Sequence, residues 1–208
     1  MAQHYRIHPD NPPMRLIRQA AELLRQGGVL VYPTDSCYAL GCGMGERPAE
    51  LRIRQARGVG PEHELTMVCR DLSEIALYAK VDNAAFRLMK SLTPGPYTFI
   101  LKATPEVPRR LQNPKRRTIG LRIPAQRVVQ LLLGQLDAPL MSTTLRLRGA
   151  ALPIAEGEEA YERLHKQVDA VLDAGSCGLE PTTVIDLVEA IPRVIRRGRG
   201  EVGALAAA

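Results

Sequence analysis

The sequence predicts an α/β protein in which a mixed β-sheet is flanked by helices. Three observations predict it. Short apolar runs bounded by turn residues alternate with helical stripes near both ends of the chain. In the middle, strand-like runs at 97–102 and 118–123 follow one another with no helical stripe between them, which does not fit a clean doubly wound order. Several runs stop at hydroxyl or basic residues, as in Val31-Tyr32-Pro33-Thr34-Asp35-Ser36, and rigid strand ends of that kind can present Thr, Ser and Arg to an anion.

Each element has a local reason. Pro12-Pro13 precede a stripe at 16, 17, 20, 23 and 24, and Gly27-Gly28 stop it, so 14–26 reads as a helix. A strand follows at 29–33. Residues 49–57 contain no Gly or Pro and read as helix, and Leu65–Cys69 reads as a short strand. Asp71 or Ser73 can cap a helix running into the eighties, and Asn83 can cap the next, which ends before Pro94. Strands are expected at Tyr97–Lys102 and Thr118–Ile123. Pro124 can open a helix over 125–136, with a strand at Leu140–Thr144. The stripe at 160, 164, 168, 171 and 172 predicts one helix over 157–174. Strands at Thr183–Leu187 and Arg193–Ile195 close the chain, with Ala204–Ala208 frayed.

At 208 residues the expectation is one domain, 1–208, with its core at about 14–200. A 45% hydrophobic and 24% charged composition places the chain among ordinary globular proteins. No apolar stretch reaches the ~20 residues that span a bilayer, and the first residues lack the apolar core of a signal peptide. The expected location is therefore cytoplasmic, with no membrane partner. Cys37, Cys42, Cys69 and Cys177 form no Cys-x-x-Cys pair, so no structural metal site is expected. The net charge of +6 is unevenly spread. Lys102, Arg109, Arg110, Lys115, Arg116, Arg117 and Arg122 face only Glu106 across that stretch, which suits a polyanion or a merely solvated loop. No Walker loop and no G-x-G-x-x-G pattern follows a strand, so any nucleotide site has another design. Arg122, between Leu121 and Ile123, needs a partner if buried, and a ligand anion or a structural carboxylate would each serve.

Six segments together resemble the YrdC/YciO family. They are Val-Tyr-Pro-Thr-Asp at 31–35, Pro-Gly-Pro-Tyr-Thr-Phe-Ile-Leu at 94–101, Gly-Leu-Arg-Ile-Pro at 120–124, Ser-Thr-Thr at 142–144, Pro-Thr-Thr-Val-Ile-Asp at 181–186 and Val-Ile-Arg-Arg-Gly at 194–198. His-Pro-Asp-Asn-Pro at 8–12 and Met-Val-Cys-Arg-Asp-Leu at 67–72 are closer to the YciO branch. The best-known members make threonylcarbamoyl-AMP for the t6A modification of transfer RNA. The resemblance implies a twisted mixed sheet with a large basic concave face. It implies that Thr34 and Arg122 contact the amino acid, with Cys69, Ser142 and Thr182 nearby, and that Arg57, Thr118, Thr144 and Arg196 face the nucleotide. ATP with Mg²⁺, threonine and bicarbonate would be the substrates. Independently of the resemblance, the basic cluster and the scarcity of aromatics make double-stranded RNA or tRNA an expected partner through Arg109, Arg110, Lys115, Arg116 and Arg117.

Two departures stand out. The Lys-x-Arg motif of the synthases reads Gln55-Ala56-Arg57, and Ser-x-Asn reads Thr144-Leu145-Arg146. A cation is lost at 55 and one gained at 146, so Arg57, Arg122 and Arg146 are the catalytic candidates. Three readings remain open: a synthase-type nucleotidyltransferase, an RNA-binding module without efficient synthesis, and a carbamoyltransferase or hydrolase acting on a related adenylate.

Overall fold

A computed structural model describes residues 1–203, so the tail at 204–208 lies outside the described residues. Ten strands form a single sheet: β1 (Gln3–Arg6), β2 (Leu30–Tyr32), β3 (Ala39–Gly43), β4 (Thr66–Val68), β5 (Tyr97–Lys102), β6 (Thr118–Arg122), β7 (Leu140–Thr144), β8 (Ala170–Asp173), β9 (Thr183–Asp186) and β10 (Arg193–Arg196). Their order across the sheet is β1-β8-β2-β3-β7-β4-β6-β5-β9-β10. Pairs β1/β8, β2/β8, β4/β6 and β5/β9 are parallel and the rest antiparallel, so the sheet is mixed as expected.

Six helices flank it: α1 (Met14–Arg25), α2 (Arg47–Arg57), α3 (Leu72–Tyr78), α4 (Asn83–Leu92), α5 (Arg127–Leu133) and α6 (Gly157–Leu164). The caps follow local chemistry. The Asp71 carboxylate accepts from the Glu74 N–H at 2.8 Å, and Glu74 in turn accepts from the Arg70 N–H at 2.6 Å. Asp82, not Asn83, caps α4, accepting from the Ala85 N–H at 2.8 Å. Gln126 caps α5, which is shorter than the helix expected over 125–136.

The expected helix over 157–174 is instead α6 followed by β8. Ala170-Val171-Leu172 is buried throughout and pairs in parallel with both β1 and β2. A short apolar run fits a helix face and a two-sided buried strand equally well. The strands β1 and β3 were not foreseen either. β3 is Ala-Leu-Gly-Cys-Gly, a poor strand by propensity. A Cβ on Gly41 would lie 2.6 Å from the Tyr32 ring, so the glycine is what lets Tyr32 cross this strand.

One face of the sheet packs Leu40, Met67, Phe99, Leu121, Met141 and Ile185 against α2, α3, α4 and α6. On the other, Ile17, Ala20 and Leu24 of α1 and Val128, Val129 and Leu132 of α5 cover Leu30, Tyr32, Ala39 and Leu172. Those two helices reach Val68 of β4 and Leu140 of β7 and leave the rest of the β7-β4-β6-β5-β9 half uncovered. There the outward residues turn small and hydroxylated: Thr66, Thr98, Gly120, Ser142 and Thr144. The threonines noted in the sequence therefore floor a cavity as well as favouring strands.

Candidate functional site

The uncovered floor holds a cavity of about 300 Å³, walled by Arg57, His63, Arg122, Thr143, Thr182 and Arg196. Glu64 is the one acid along it. Arg57 ends α2 and reaches the end of β7, where Nε donates to the Thr144 carbonyl and Nη1 to the Arg146 carbonyl, each at 2.6 Å. Arg196, on β10, donates from Nε and Nη2 to the Thr182 carbonyl at 3.1 and 2.9 Å, and from Nη2 to Thr182 Oγ1 at 3.2 Å. A Cβ on Gly198 would lie 2.2 Å from the Pro181 carbonyl, so this close approach depends on glycine. Both guanidiniums are held by neutral oxygens, and their charge is left for something else.

Arg146 joins them. Arg57, Arg146 and Arg196 share an adjoining pocket of about 240 Å³ with His63 and Thr144, walled by Ala151, Leu152, Pro153, Leu179 and Pro181. No acid lines this pocket among the described residues. Burial, and then the nearness of Arg146, pull the proton affinities of both Arg57 and Arg196 below the ordinary arginine value. Arg57 is buried and Arg146 and Arg196 are exposed, and arginines gathered in this way without a counter-charge form a site that an anion would stabilise.

Arg122 is 7% exposed. The sequence left its partner open between ligand and structural carboxylate, and the structure supplies Asp35. Nη2 donates to Asp35 Oδ1 and, at 3.1 Å, to Thr34 Oγ1, while Asp35 Oδ2 accepts from the Ala125 N–H at 2.8 Å. The Nε of Arg122 is buried and has no protein partner. A buried charged donor without a partner is costly.

Thr34 holds a different post from the one expected. It is 4% exposed and does not line the cavity. Its single proton goes to the Cys37 carbonyl at 2.6 Å, and its oxygen accepts from the Ser36 and Cys37 N–H groups and from Arg122. Thr34 therefore has no donor left for a ligand; it positions Arg122. The turn at 33–36 is likewise built on this hydroxyl and not on Asp35. Ser142 is similarly committed: its Oγ donates to the Leu40 carbonyl at 2.9 Å, so the Tyr32 hydroxyl, 2.6 Å away, donates to it. Burial raises the Tyr32 phenol to about 12, which keeps it protonated. Ser142 can still accept from a ligand ammonium, but it cannot donate to an anion. Thr182 Oγ1 lies 2.8 Å from Thr98 Oγ1 at the cavity wall.

Three expected positions fall elsewhere. Cys69 lies in the opposite core with Met67 and Ile75, and burial pushes its thiol well above the usual range. The alternation of strand side chains removes it from the site. Thr118 shares the cavity face of β6 with Gly120 and Arg122 but lies one strand end away, outside the cavity lining. Gln55 faces a side basin with Arg54, Gly58 and Arg148, beyond His63. The basic segment is partly spoken for. Arg110 pairs with Glu50 at 3.0 Å and Arg116 with Asp186 at 2.7 Å. Among the described residues no acid pairs with Arg109, Lys115 or Arg117; Arg109 and Lys115 line a groove with Arg54 and His63. His63 lines all four of these hollows, and nothing in the local sequence marks it.

Away from the site, His4, Glu158 and Asp173 each bring one potential ligand atom within 4.8 Å of the others. His4 Nε2 is 2.9 Å from Asp173 and Arg6 is 3.0 Å from Glu158, so protein partners already close this cluster. No helix among the described residues is long and apolar enough to cross a membrane.

Fold and site together define a mixed-sheet α/β protein with an arginine-walled cavity on one face of its sheet. The chain belongs to the Sua5/YciO/YrdC family, whose domain model, described as "Telomere recombination", matches residues 22–198. It is 53% identical over 202 residues to the protein YciO of Escherichia coli K12, covering 97% of this chain and 98% of that one. The crystal structure of E. coli YciO superposes with a TM-score of 0.93, covering 98% of each chain. More distantly, the chain is 29% identical over 185 residues to the threonylcarbamoyl-AMP synthase of Pyrococcus abyssi, covering 88% of this chain and 54% of that one. P. abyssi Sua5 complexed with L-threonine gives a TM-score of 0.85 at 25% identity, covering 95% of this chain and 57% of that chain.

Proposed function

We propose that the cavity binds a nucleoside triphosphate beside an amino acid and that the chain is a nucleotidyltransferase of the threonylcarbamoyl-AMP synthase type, altered in its cations. The observation that carries this reading is the acid-free arrangement of Arg57, Arg146 and Arg196 next to a cavity lined by Arg122, whose buried Nε has no protein partner. Arg122 receives the amino-acid carboxylate, while Ser142, able only to accept, suits its ammonium. The three other arginines receive phosphate oxygens, and the apolar walls at Leu152, Pro153, Leu179 and Pro181 suit a base. Magnesium enters with ATP as part of the substrate.

In the reaction, the threonine nitrogen bonds to the bicarbonate carbon with loss of water, and the resulting carbamate attacks the α-phosphorus through an oxygen. The bond from that phosphorus to the bridging oxygen breaks, and pyrophosphate leaves with the electron pair. Arg57, Arg146 and Arg196 contribute by being already placed where phosphate charge develops. The test is calorimetry of ATP against wild type and Arg196→Ala, with pyrophosphate and adenylate assays in threonine, bicarbonate, Mg²⁺ and ATP. Equal ATP affinity in the two chains would remove the nucleotide assignment.

A second reading, duplex or transfer RNA binding, is favoured by Arg109, Lys115 and Arg117, which lie around two adjoining hollows, one of them the groove that meets the cavity. The chain has no Trp and only 2 Phe and 6 Tyr, which suits phosphate and shape recognition better than base stacking. RNA contact and nucleotide binding are compatible, because the groove meets the cavity at His63. A carbamoyltransferase or hydrolase acting on a related adenylate would use the same arginines; release of pyrophosphate separates synthesis from both.

A further inference from the structure

His63 stands where the main cavity, the arginine pocket, the side basin and the Arg109 groove meet. Its Nε2 lies 2.9 Å from Thr143 Oγ1, which ties the ring to β7. The four hollows it lines carry charged groups from several elements. Arg54 and Arg57 come from α2, Glu62 and Glu64 from its own loop, and Arg146 and Arg148 from the segment after β7. Arg196 comes from β10, Arg122 from β6, and Arg109, Arg110 and Lys115 from the loop before β6. Of the two acids, Glu64 is already bonded by the Asn113 amide.

Cations thus outnumber acids around a half-buried imidazole. Burial, then Arg57 and Arg54, hold its proton affinity below the ordinary histidine value, so it is neutral in the free protein near neutral pH. A polyphosphate would invert that field, bringing several negative charges to the same wall.

We propose that His63 takes up a proton when a polyphosphate fills the arginine-walled cavity and so becomes an added cation of the occupied site. This rests on the reading of the cavity as a phosphate site. It adds that occupancy and protonation of one residue are linked, and linkage is reciprocal. Affinity must then fall as pH rises between the free and bound titration points of His63. For one proton the limit is about tenfold per pH unit.

The probe is inorganic pyrophosphate, titrated into the full chain without metal in two buffers of different ionisation enthalpy. Wild type is compared with His63→Gln and His63→Lys. Pyrophosphate's own ionisation is common to all three and cancels in the difference. The wild type should take up as much as one proton more than His63→Gln. His63→Lys, charged throughout, should keep the low-pH affinity and lose the extra pH dependence. The ring signal of His63 in the wild-type NMR spectrum should move to a higher titration point on adding pyrophosphate, assigned by its loss in whichever variant folds.

Equal proton uptake in wild type and His63→Gln, or an unmoved ring titration, overturns the inference while leaving the nucleotide reading intact. A wild-type chain that binds neither pyrophosphate nor ATP overturns both.

Discussion

Asp35→Ala is the most informative single change, because it separates the support of Arg122 from its use. The guanidinium is 7% exposed and has one charged partner; its other contact is a neutral threonine and its Nε has none. Removing Asp35 leaves a buried cation with no counter-charge, which typically costs ~3–5 kcal/mol. At ~2–4 °C per kcal/mol for a chain of this size, the midpoint should drop by roughly 6–20 °C. The assay is thermal and urea unfolding of wild type, Asp35→Ala, Arg122→Met and the double variant. The double variant should be more stable than the sum of the single losses predicts, with a coupling above ~1 kcal/mol. Formate, small enough to enter the gap left by the carboxylate, should recover part of the loss in Asp35→Ala and none in the double variant. A loss below ~1 kcal/mol, or additive single effects, would show that Arg122 does not depend on this pair.

Three further outcomes are expected. Replacing Arg109, Lys115 and Arg117 by Gln should lower the salt slope of duplex RNA binding by up to about 3, whereas Arg110→Gln and Arg116→Gln, which strip Glu50 and Asp186 of their partners, should act mainly on thermal stability. Gln55→Lys should change pyrophosphate affinity little, because position 55 faces the side basin, while Arg146→Asn should weaken it about tenfold or more, a charge-assisted contact being worth ~1.5–3 kcal/mol; calorimetry distinguishes the two. The Asp71 carboxylate is held below its ordinary value chiefly by accepting from the Glu74 N–H. Its contribution is therefore present above the unfolded value and lost as pH falls through the folded one; Asp71→Ala should cost ~1 kcal/mol at neutral pH and show a flatter acid limb in unfolding scans.

Strand and helix type were legible where one physical demand dominated. Tyr97–Lys102 and Leu140–Thr144 were expected at their observed bounds because β-branched and aromatic residues sit between turn residues. β3 was not legible, because its glycines answer a packing need set by Tyr32 and not a local preference. At the site, arginines at strand ends could be picked out because charge in an apolar run is conspicuous. Which hydroxyls remained available could not. Thr34 and Ser142 look alike in sequence, and each role follows from where its one proton goes, to the Cys37 or the Leu40 carbonyl. His63 was invisible because nothing around it in sequence marks it; it gains its setting from Thr143, eighty residues later.

The arginine-walled cavity is closed by β10, the last strand among the described residues, which hangs Arg196 on Thr182. During synthesis the floor strands β4 to β7 emerge first, so a nascent chain can hold most of the sheet while its wall still lacks Arg196 and the glycine at 198. The β9–β10 hairpin itself is local, but it docks on the sheet through the parallel β5–β9 pairing, Tyr97 against Thr183, and long-range pairing of that kind is slow to form. A ligand that grips Arg57 and Arg196 at once can bind only a finished chain, and it favours completion of the sheet in proportion to that binding. Substrate would thereby discriminate full-length, closed molecules from truncated ones, without any separate quality-control surface.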